Sequence, residues 1–517
     1  MAYRLVFDIG SKNAKCAIGN DNDEIVALES FRPAVTISED GFCRSYDESM
    51  FWNNILALTK QTFASSGIDP EQVKYVTCSS IRPSCVFVDK YNNPIYVGSS
   101  FDIRGINTAD IIIPKFEALV GKSFSQITGH FPGLMYPPAR YAWFRENEPI
   151  NAARITKYLP MDSWILSKLG AEEHANIASA AESGFYDIAK KDWNYEWANV
   201  LDLPDDFFPP VIQSGEIVGD VSSEVCESMG LSRNVEIVSG IPDTQAALIG
   251  AGCVNELDAG IVVGSTMPVQ MIKHDMFLDT QEHTWTTMIN LKHVIDSYVI
   301  EANSSITGQI VAWLAGLLYD DDGQFRNDFY ARLDAEYAAI DAEEASTSMD
   351  LQHVLAFLGP DYLAAAQTTI VPGIFIFPTP GTVDETPISR KQFIVAMFEN
   401  IQFAAFKNLQ FLQSLTGSLM RDCYLLGGVT RNATFCQRFA DLANINVRTT
   451  VEKEATISGL LLCCSVAAGD ITTTSDLIDR IASRNGTNDI HPRQERITAM
   501  HRNYERWNEM REKIKNL

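Results

Sequence analysis

Two short segments, half a chain apart, constrain the fold more than anything else in these 517 residues. Near the start, "YRLVFDIGSKNAKCAIGND" gives an apolar strand, a glycine turn at Gly10 and Ser11, and a returning strand. From Asp258 to Lys273, "DAGIVVGSTMPVQMIK" repeats the pattern around Gly264, Ser265 and Thr266. Apolar runs of this length closed by a glycine turn read as β-hairpins. Finding the pattern twice predicts two related α/β domains, and the chain is too long for one ordinary core. Between the hairpins, helical spacing ("NNILALTKQTFASSG", "ARYAWFRENEP", "DSWILSKLGAEEHAN") alternates with strand-like runs ("VKYVTCSS", "SCVFVDKYNNPIYVG"), as an α/β architecture requires. The domain boundary falls near Gly250, giving domains 1–250 and 251–517.

In the second half, "GQIVAWLAGLLY" predicts a helix and "EATISGLLLCCSVAAGD" a last buried one. "DAEYAAIDAEEASTSMD" predicts an acidic helix and loop with its charges in water. The tail "RQERITAMHRNYERWNEMREKIKNL" alternates acids and bases at helical spacing and predicts a solvated surface helix.

The formal charge of −25 argues against nucleic acid or an anionic membrane surface as partner. No segment reaches the roughly 18 apolar residues of a membrane span, and the start carries no leader pattern, so a cytoplasmic protein is expected. Ten cysteines without a C-x-x-C pair predict reduced structural thiols, and eight scattered histidines make a protein-ligated zinc an unfavoured reading. The N-x-[ST] triplets at Asn303, Asn432 and Asn485 are then chance matches.

A glycine turn between strands presents backbone amides with no Cβ in the way of a phosphate. Alone, such a turn is usually only a turn. Asp8 ends the first strand, either as a turn-initiating aspartate or as a carboxylate for Mg²⁺, which needs only one or two protein carboxylates. Lys15 is either solvated or a phosphate partner. "LLGGVTRN", Leu425 to Asn432, predicts a third glycine turn leading into a helix near Asn432. Neither a dinucleotide fingerprint nor a Walker loop is present. Asp243, in "SGIPDTQAALIGAG", precedes a helical segment, where an N-cap or a favourable helix dipole explains it and also lowers its basicity.

Taken in order, these segments resemble the FGGY carbohydrate kinase family, of the actin and hexokinase type. "FDIGSKNAK" and "GIVVGSTM" are similar to its two phosphate hairpins, "GIPDTQAALIGAG" to its aspartate segment, and "LLGGVTRN…FADLANINV" with "EATISG" to its adenosine region. "IYVGSSFDIRG" is similar to its W-x-D-x-R stretch and "DSWILSKLG…ESGFYDIAKKDW…FFPPVIQSGEIVGDV" to its middle region.

The resemblance implies two ribonuclease H-like domains flanking a deep cleft, with sugar on the first and nucleotide on the second. It implies ATP and Mg²⁺, with Asp243 as catalytic base and Asp8 with Asp243 at the metal. Arg82, Asp102, Arg104, Asp243 and Thr244 would contact the sugar. Gly10, Ser11, Lys15, Gly264, Ser265, Thr266, Gly427, Gly428 and Asn432 would contact ATP. A surface ion pair is the competing reading of Asp102 and Arg104. The acceptor expected first is a ketopentose such as xylulose, then the quorum signal autoinducer-2 or another polyol or ketose. A catalytically idle sugar or nucleotide sensor is the reading from a different class, and a homodimer the assembly considered.

The chain departs from the family pattern in four places. The second turn reads G-S-T, Val429 stands third after two glycines, and the G-E-R loop is missing from "FPTPGTVDETP". Pro83 follows Arg82 where glycerol-kinase-like members have a glutamate, which counts against glycerol.

Overall fold

The structure is a computed structural model that describes residues 2–319, 329–347, 354–364, 372–378, 388–484 and 487–514. The loop at 379–387 and Asn485 lie outside the described residues. Two compact units emerge, each discontinuous in sequence. The first comprises Met1–Val254, Lys273–Ile300 and Glu454–Gly486, and the second Asn255–Ile272, Glu301–Lys453 and Thr487–Leu517.

The first unit is built on a six-stranded sheet in the order Ile217–Asp220, Glu236–Val238, Val73–Ser80, Tyr3–Ile9, Ala14–Gly19, Ile25–Phe31. The expected hairpin is there, with Asp8 opposite Lys15 in antiparallel register. Tyr3–Ile9 runs parallel to Val73–Ser80, which runs parallel to Glu236–Val238. Three parallel strands therefore end on the same side, where α/β sheets gather their functional groups. Leu5, Phe7 and Ile9 lie fully buried with Ile55, Leu58 and Trp164 on one face, while Val6 and Ala17 meet Ile457, Leu460 and Leu461 on the other.

Glu48–Ser66 is the helix predicted for "NNILALTKQTFASSG". Asp47 caps it by accepting from the Met50 amide. A five-stranded sheet of short strands, including Cys85–Val88 and Pro94–Gly98, adds a second core of aromatic residues packed mostly edge to face around Phe87.

The return of Glu454–Gly486 to the first unit has a steric basis. Helix Ala455–Ala467 crosses helix Asp243–Ala251 at two glycines. A Cβ at Gly250 would stand 2.1 Å from the Ala455 carbonyl oxygen, and one at Gly459 2.0 Å from that of Ala246. Only glycine allows backbones this close.

In the second unit, Ala259–Val262 pairs antiparallel with Thr266–Lys273 and parallel with Cys423–Leu426, which in turn runs parallel to Val447–Thr450. The helix predicted for "GQIVAWLAGLLY" spans Gly308–Tyr319.

Two expectations about charge need correction. The acidic helix Phe329–Thr347 does not leave all its carboxylates in water: Asp341 and Glu344 are buried and pair with Arg438 at 3.0 and 2.7 Å. The tail helix Gln494–Ile514 likewise buries Arg496, Met500, Asn503, Trp507 and Arg511. Its Arg496 joins Glu344. Local sequence showed the charges but not the buried arginine that gathers them. All ten cysteines are free, and burial pushes the Cys16 and Cys85 thiols up to about 12, as inert structural thiols require.

Candidate active site

Asp8 is held by its register neighbours on both sides. Ser79 Oγ, on the parallel strand, donates to Asp8 Oδ1 at 3.2 Å, and Lys15 Nζ, on the antiparallel strand, lies 3.4 Å from Oδ2. Burial raises the Asp8 carboxyl above its ordinary value, against the pull of Lys15. Lys15 also donates to Glu454 Oε2 at 2.7 Å. This expected phosphate ligand is thus shared between two carboxylates.

Strand Glu236–Val238 delivers the chain to Asp243 through a tight passage. A Cβ at Gly240 would lie 1.8 Å from the Cys78 carbonyl oxygen, so the loop runs directly against the neighbouring strand. The helix that follows starts at Asp243 with Pro242 in the cap position and no side-chain cap bond. The N-cap reading of Asp243 is therefore corrected: its side chain is in the first helical residue. Its Oδ1 accepts from the Thr244 amide at 2.7 Å and from Thr244 Oγ1 at 3.1 Å.

The lowered basicity expected from the helix terminus is also overturned. Although Asp243 keeps part of its surface accessible, burial pushes its carboxyl up to about 7. Arg82 pulls back, Asp8 adds to the rise by charge repulsion, and the Thr244 bonds lower it. Desolvation outweighs a dipole that is worth only about 0.3–1 kcal/mol.

Arg82 Nη1 donates to Glu182 Oε1 at 2.7 Å, and Gln245 Nε2 donates to the same oxygen at 2.9 Å. His130 Nε2 stands 3.1 Å from Glu182 Oε2, with Nδ1 2.8 Å from the Thr128 carbonyl oxygen. Glu182, His130 and Gln245 are buried. Burial alone would raise the Glu182 carboxyl, but Arg82 and His130 overcome it and hold it well below the usual range. The carboxylate missing at Pro83 is thus replaced beside Arg82 by one from the end of helix Ile177–Ala181. Sequence reading singled out none of Ser79, His130, Glu182 or Gln245. A signal existed for Glu182, the one charge in "ANIASAAESGFY".

Asp102 and Arg104 form a different structure. Arg104 Nε lies 3.0 Å from both Asp102 oxygens and Nη2 2.8 Å from Oδ2, which also accepts from the Arg44 amide. The guanidinium lies over the rings of Tyr96, Trp143 and Phe144 at 4.4, 4.8 and 5.1 Å. Both residues are buried, which makes this an internal ion pair instead of a surface one.

In the second unit, the turns at Gly264 and Gly427 adjoin at the ends of two parallel strands. Val263 N donates to the Leu426 oxygen at 2.7 Å, and a Cβ at Gly427, whose φ is 92°, would press on Val263. Thr307 was missed by sequence: its amide donates to the Ser265 oxygen and its Oγ1 to the Gly264 oxygen, both at 2.9 Å. Gly428 has open space around it. Asn432 caps helix Ala433–Ala443 by accepting from the Phe435 amide, and its Nδ2 donates to Asp334 at 2.7 Å. Among the described residues no cluster of three or more His, Cys, Asp or Glu could hold a metal, and no helix is long and apolar enough to cross a membrane.

Residues 3–250 match the model of the FGGY family of carbohydrate kinases, N-terminal domain, and residues 261–468 that of its C-terminal domain. The autoinducer-2 kinase of Klebsiella pneumoniae subsp. pneumoniae is 22% identical over 516 residues, covering 98% of this chain and 90% of that one. Xylulose kinase from Rhodospirillum rubrum superposes with a TM-score of 0.80 at 17% identity, covering 99% of both chains. Plasmodium falciparum glycerol kinase with ADP superposes at 0.82 and 16%, covering 99% of this chain and 98% of that one. At these identities the structural likeness speaks for the fold: two α/β domains of the actin and hexokinase type.

Proposed function

Because the chain belongs to the FGGY family of carbohydrate kinases, we propose that it transfers the γ-phosphoryl group of ATP to a hydroxyl of a small ketose, with Asp243 as the base. One observation carries this reading. Asp8 is the last residue but one of its strand, Arg82 and Asp243 follow the ends of the two strands parallel to it in the same unit, and the Asp243 carboxyl is raised to about 7. An active-site carboxylate tuned towards the working pH is what proton transfer needs.

Thr244 fills Asp243 Oδ1, which leaves Oδ2 to meet the acceptor hydroxyl. In a loose phosphoryl-transfer transition state the proton leaves late, so Asp243 first aligns the oxygen and then takes its proton. Arg82, held by Glu182, would fix a neighbouring hydroxyl of the sugar. The Gly10 and Gly264 amides close their own turns, on the Asn13 and Thr266 oxygens. The turns Gly10–Ser11 and Gly264–Thr266 would border the phosphates, with Lys15 as a cation, and Gly427, Gly428 and Asn432 would border the adenosine. The repelling pair Asp8 and Asp243 suits a divalent cation. Magnesium there would supply neutralising charge to the phosphate oxygens.

A ketopentose such as xylulose is the first acceptor to test, and the extent of the likeness to an autoinducer-2 kinase makes that signal the second. ADP production is measured with Mg²⁺ and ATP over ketopentoses, polyols and autoinducer-2. One preferred acceptor, with turnover cut at least about 100-fold in Asp243→Asn, supports the reading. Sugar binding without turnover across the panel replaces it with the sensor, and full activity in Asp243→Asn removes the base assignment.

A further inference from the structure

The charges around Asp243 are unbalanced, and this bears on which acceptors can enter. Among the described residues, four carboxylates, Asp8, Glu182, Glu454 and Asp243, gather around the two cations Arg82 and Lys15, with His130 beside Glu182. Both cations already bond to carboxylates: Lys15 to Glu454 at 2.7 Å and Arg82 to Glu182 at 2.7 Å. Arg82 is the cation that lowers Asp243 and so stands within its electrostatic reach. An arginine beside an acceptor site would normally invite a carboxylate on the substrate, because its fork matches that group. Here Arg82 Nη1 is already neutralised by Glu182 Oε1, with Gln245 on the same oxygen and His130 on the other.

We infer that Glu182 is a specificity residue that closes the site to anionic sugars and reserves it for neutral polyhydroxy acceptors. This rests on the acceptor binding at Asp243. A sugar acid would have to displace a buried carboxylate from Arg82 or stay unpaired among like charges. With effective dielectric constants near 20 and separations of about 6 Å, repulsion of that kind weakens binding on the order of 100-fold. A neutral ketose or polyol escapes it, since its hydroxyls can donate to Glu182 and Asp243 and accept from Arg82.

The test is calorimetric binding of xylulose and xylitol against xylonate and gluconate, with ADP production followed in parallel. The wild-type chain should bind the neutral members about 100-fold more tightly than the acids. Glu182→Gln, which removes the competing negative charge from Arg82, should narrow that ratio at least tenfold by improving the acids. Glu182→Asp, which keeps the charge, should preserve it. Equal wild-type affinity for acids and neutral sugars, no binding by either class, or an unchanged ratio in a folded Glu182→Gln would overturn the inference. Should Glu182→Gln fail to fold because it strands Arg82, the wild-type and Glu182→Asp ratios still decide. Binding selectivity with no ADP from any acceptor would sink the kinase proposal while leaving the charge filter standing. Brisk turnover of a preferred sugar acid would do the reverse.

Discussion

Gly250→Ala sets two physical effects of opposite sign against each other. In an open helix, alanine is favoured over glycine by about 1 kcal/mol. At Gly250 the added Cβ would meet the Ala455 oxygen at 2.1 Å and the Gly459 nitrogen at 2.8 Å, both backbone atoms that cannot rotate away. Restoring ordinary contact at 3.4 Å requires the two helices to part by about 1.3 Å. Overpacking of this kind costs about 1–3 kcal/mol, and backbone partners put it at the upper end, so the net change is a loss of about 2 kcal/mol. For 517 residues unfolding together, with an unfolding entropy of about 2.1 cal/mol/K per residue, that lowers Tm by roughly 2 °C. The same helix begins at Asp243, and a shift of about 1 Å there reduces turnover on the order of 100-fold. Gly316→Ala is the matched control, because that helical glycine has nothing within 4 Å, and it should gain up to about 1 kcal/mol. Thermal unfolding and acceptor-dependent ADP production read both variants. If Gly250→Ala gains stability as Gly316→Ala does and keeps turnover within about twofold, the close crossing does not position Asp243.

Asp243→Asn should cut turnover by about 10²–10⁴ and yet stabilise the fold at pH 8. Between about pH 4 and 7 the folded carboxyl keeps a proton that the unfolded chain has released, so stability falls as pH rises through that window. The deficit reaches at most about 4 kcal/mol above pH 7, and Asn removes it; denaturant melts at pH 5 and 8 check the sign. In the wild-type enzyme, kcat/KM should decline as pH drops through about 7, because a protonated Asp243 cannot take the acceptor proton. Thr307→Val removes the hydroxyl bond to the Gly264 oxygen and should raise KM for ATP several-fold with acceptor KM unchanged, which initial-rate kinetics resolve. Arg104→Met leaves Asp102 buried on backbone amides without its guanidinium partner, so a stability loss of about 3 kcal/mol is expected at unchanged acceptor KM. A raised acceptor KM in a stable Arg104→Met would return that pair to the sugar site.

Much of the scaffold was legible because the signals are local. Apolar runs and glycine turns mark the two hairpins, and strand Val73–Ser80 coincides with "VKYVTCSS". Asp8 and Asp243 stood out for the same reason, as lone carboxylates where a strand ends or a helix begins. The misread features all depend on distant partners. The acids of Phe329–Thr347 looked solvated until Arg438, about a hundred residues away, gathered them. Of the two readings of Asp102 and Arg104, sugar contact or a surface ion pair, the surface one fails because the rings of Tyr96, Trp143 and Phe144 enclose the pair.

The amino-acid order by itself determined the two hairpins, the glycine turns and the carboxylates that end or begin their elements, since each follows from the conformational limits of a few adjacent residues. Tertiary structure alone decided that Glu182, His130 and Gln245 meet at Arg82, and that segment 454–486 joins the first unit through contacts only glycine permits. It also decided that Asp243 is a weaker acid than its helix position implies. Desolvation depends on everything packed around a group, and no local stretch of sequence contains that information.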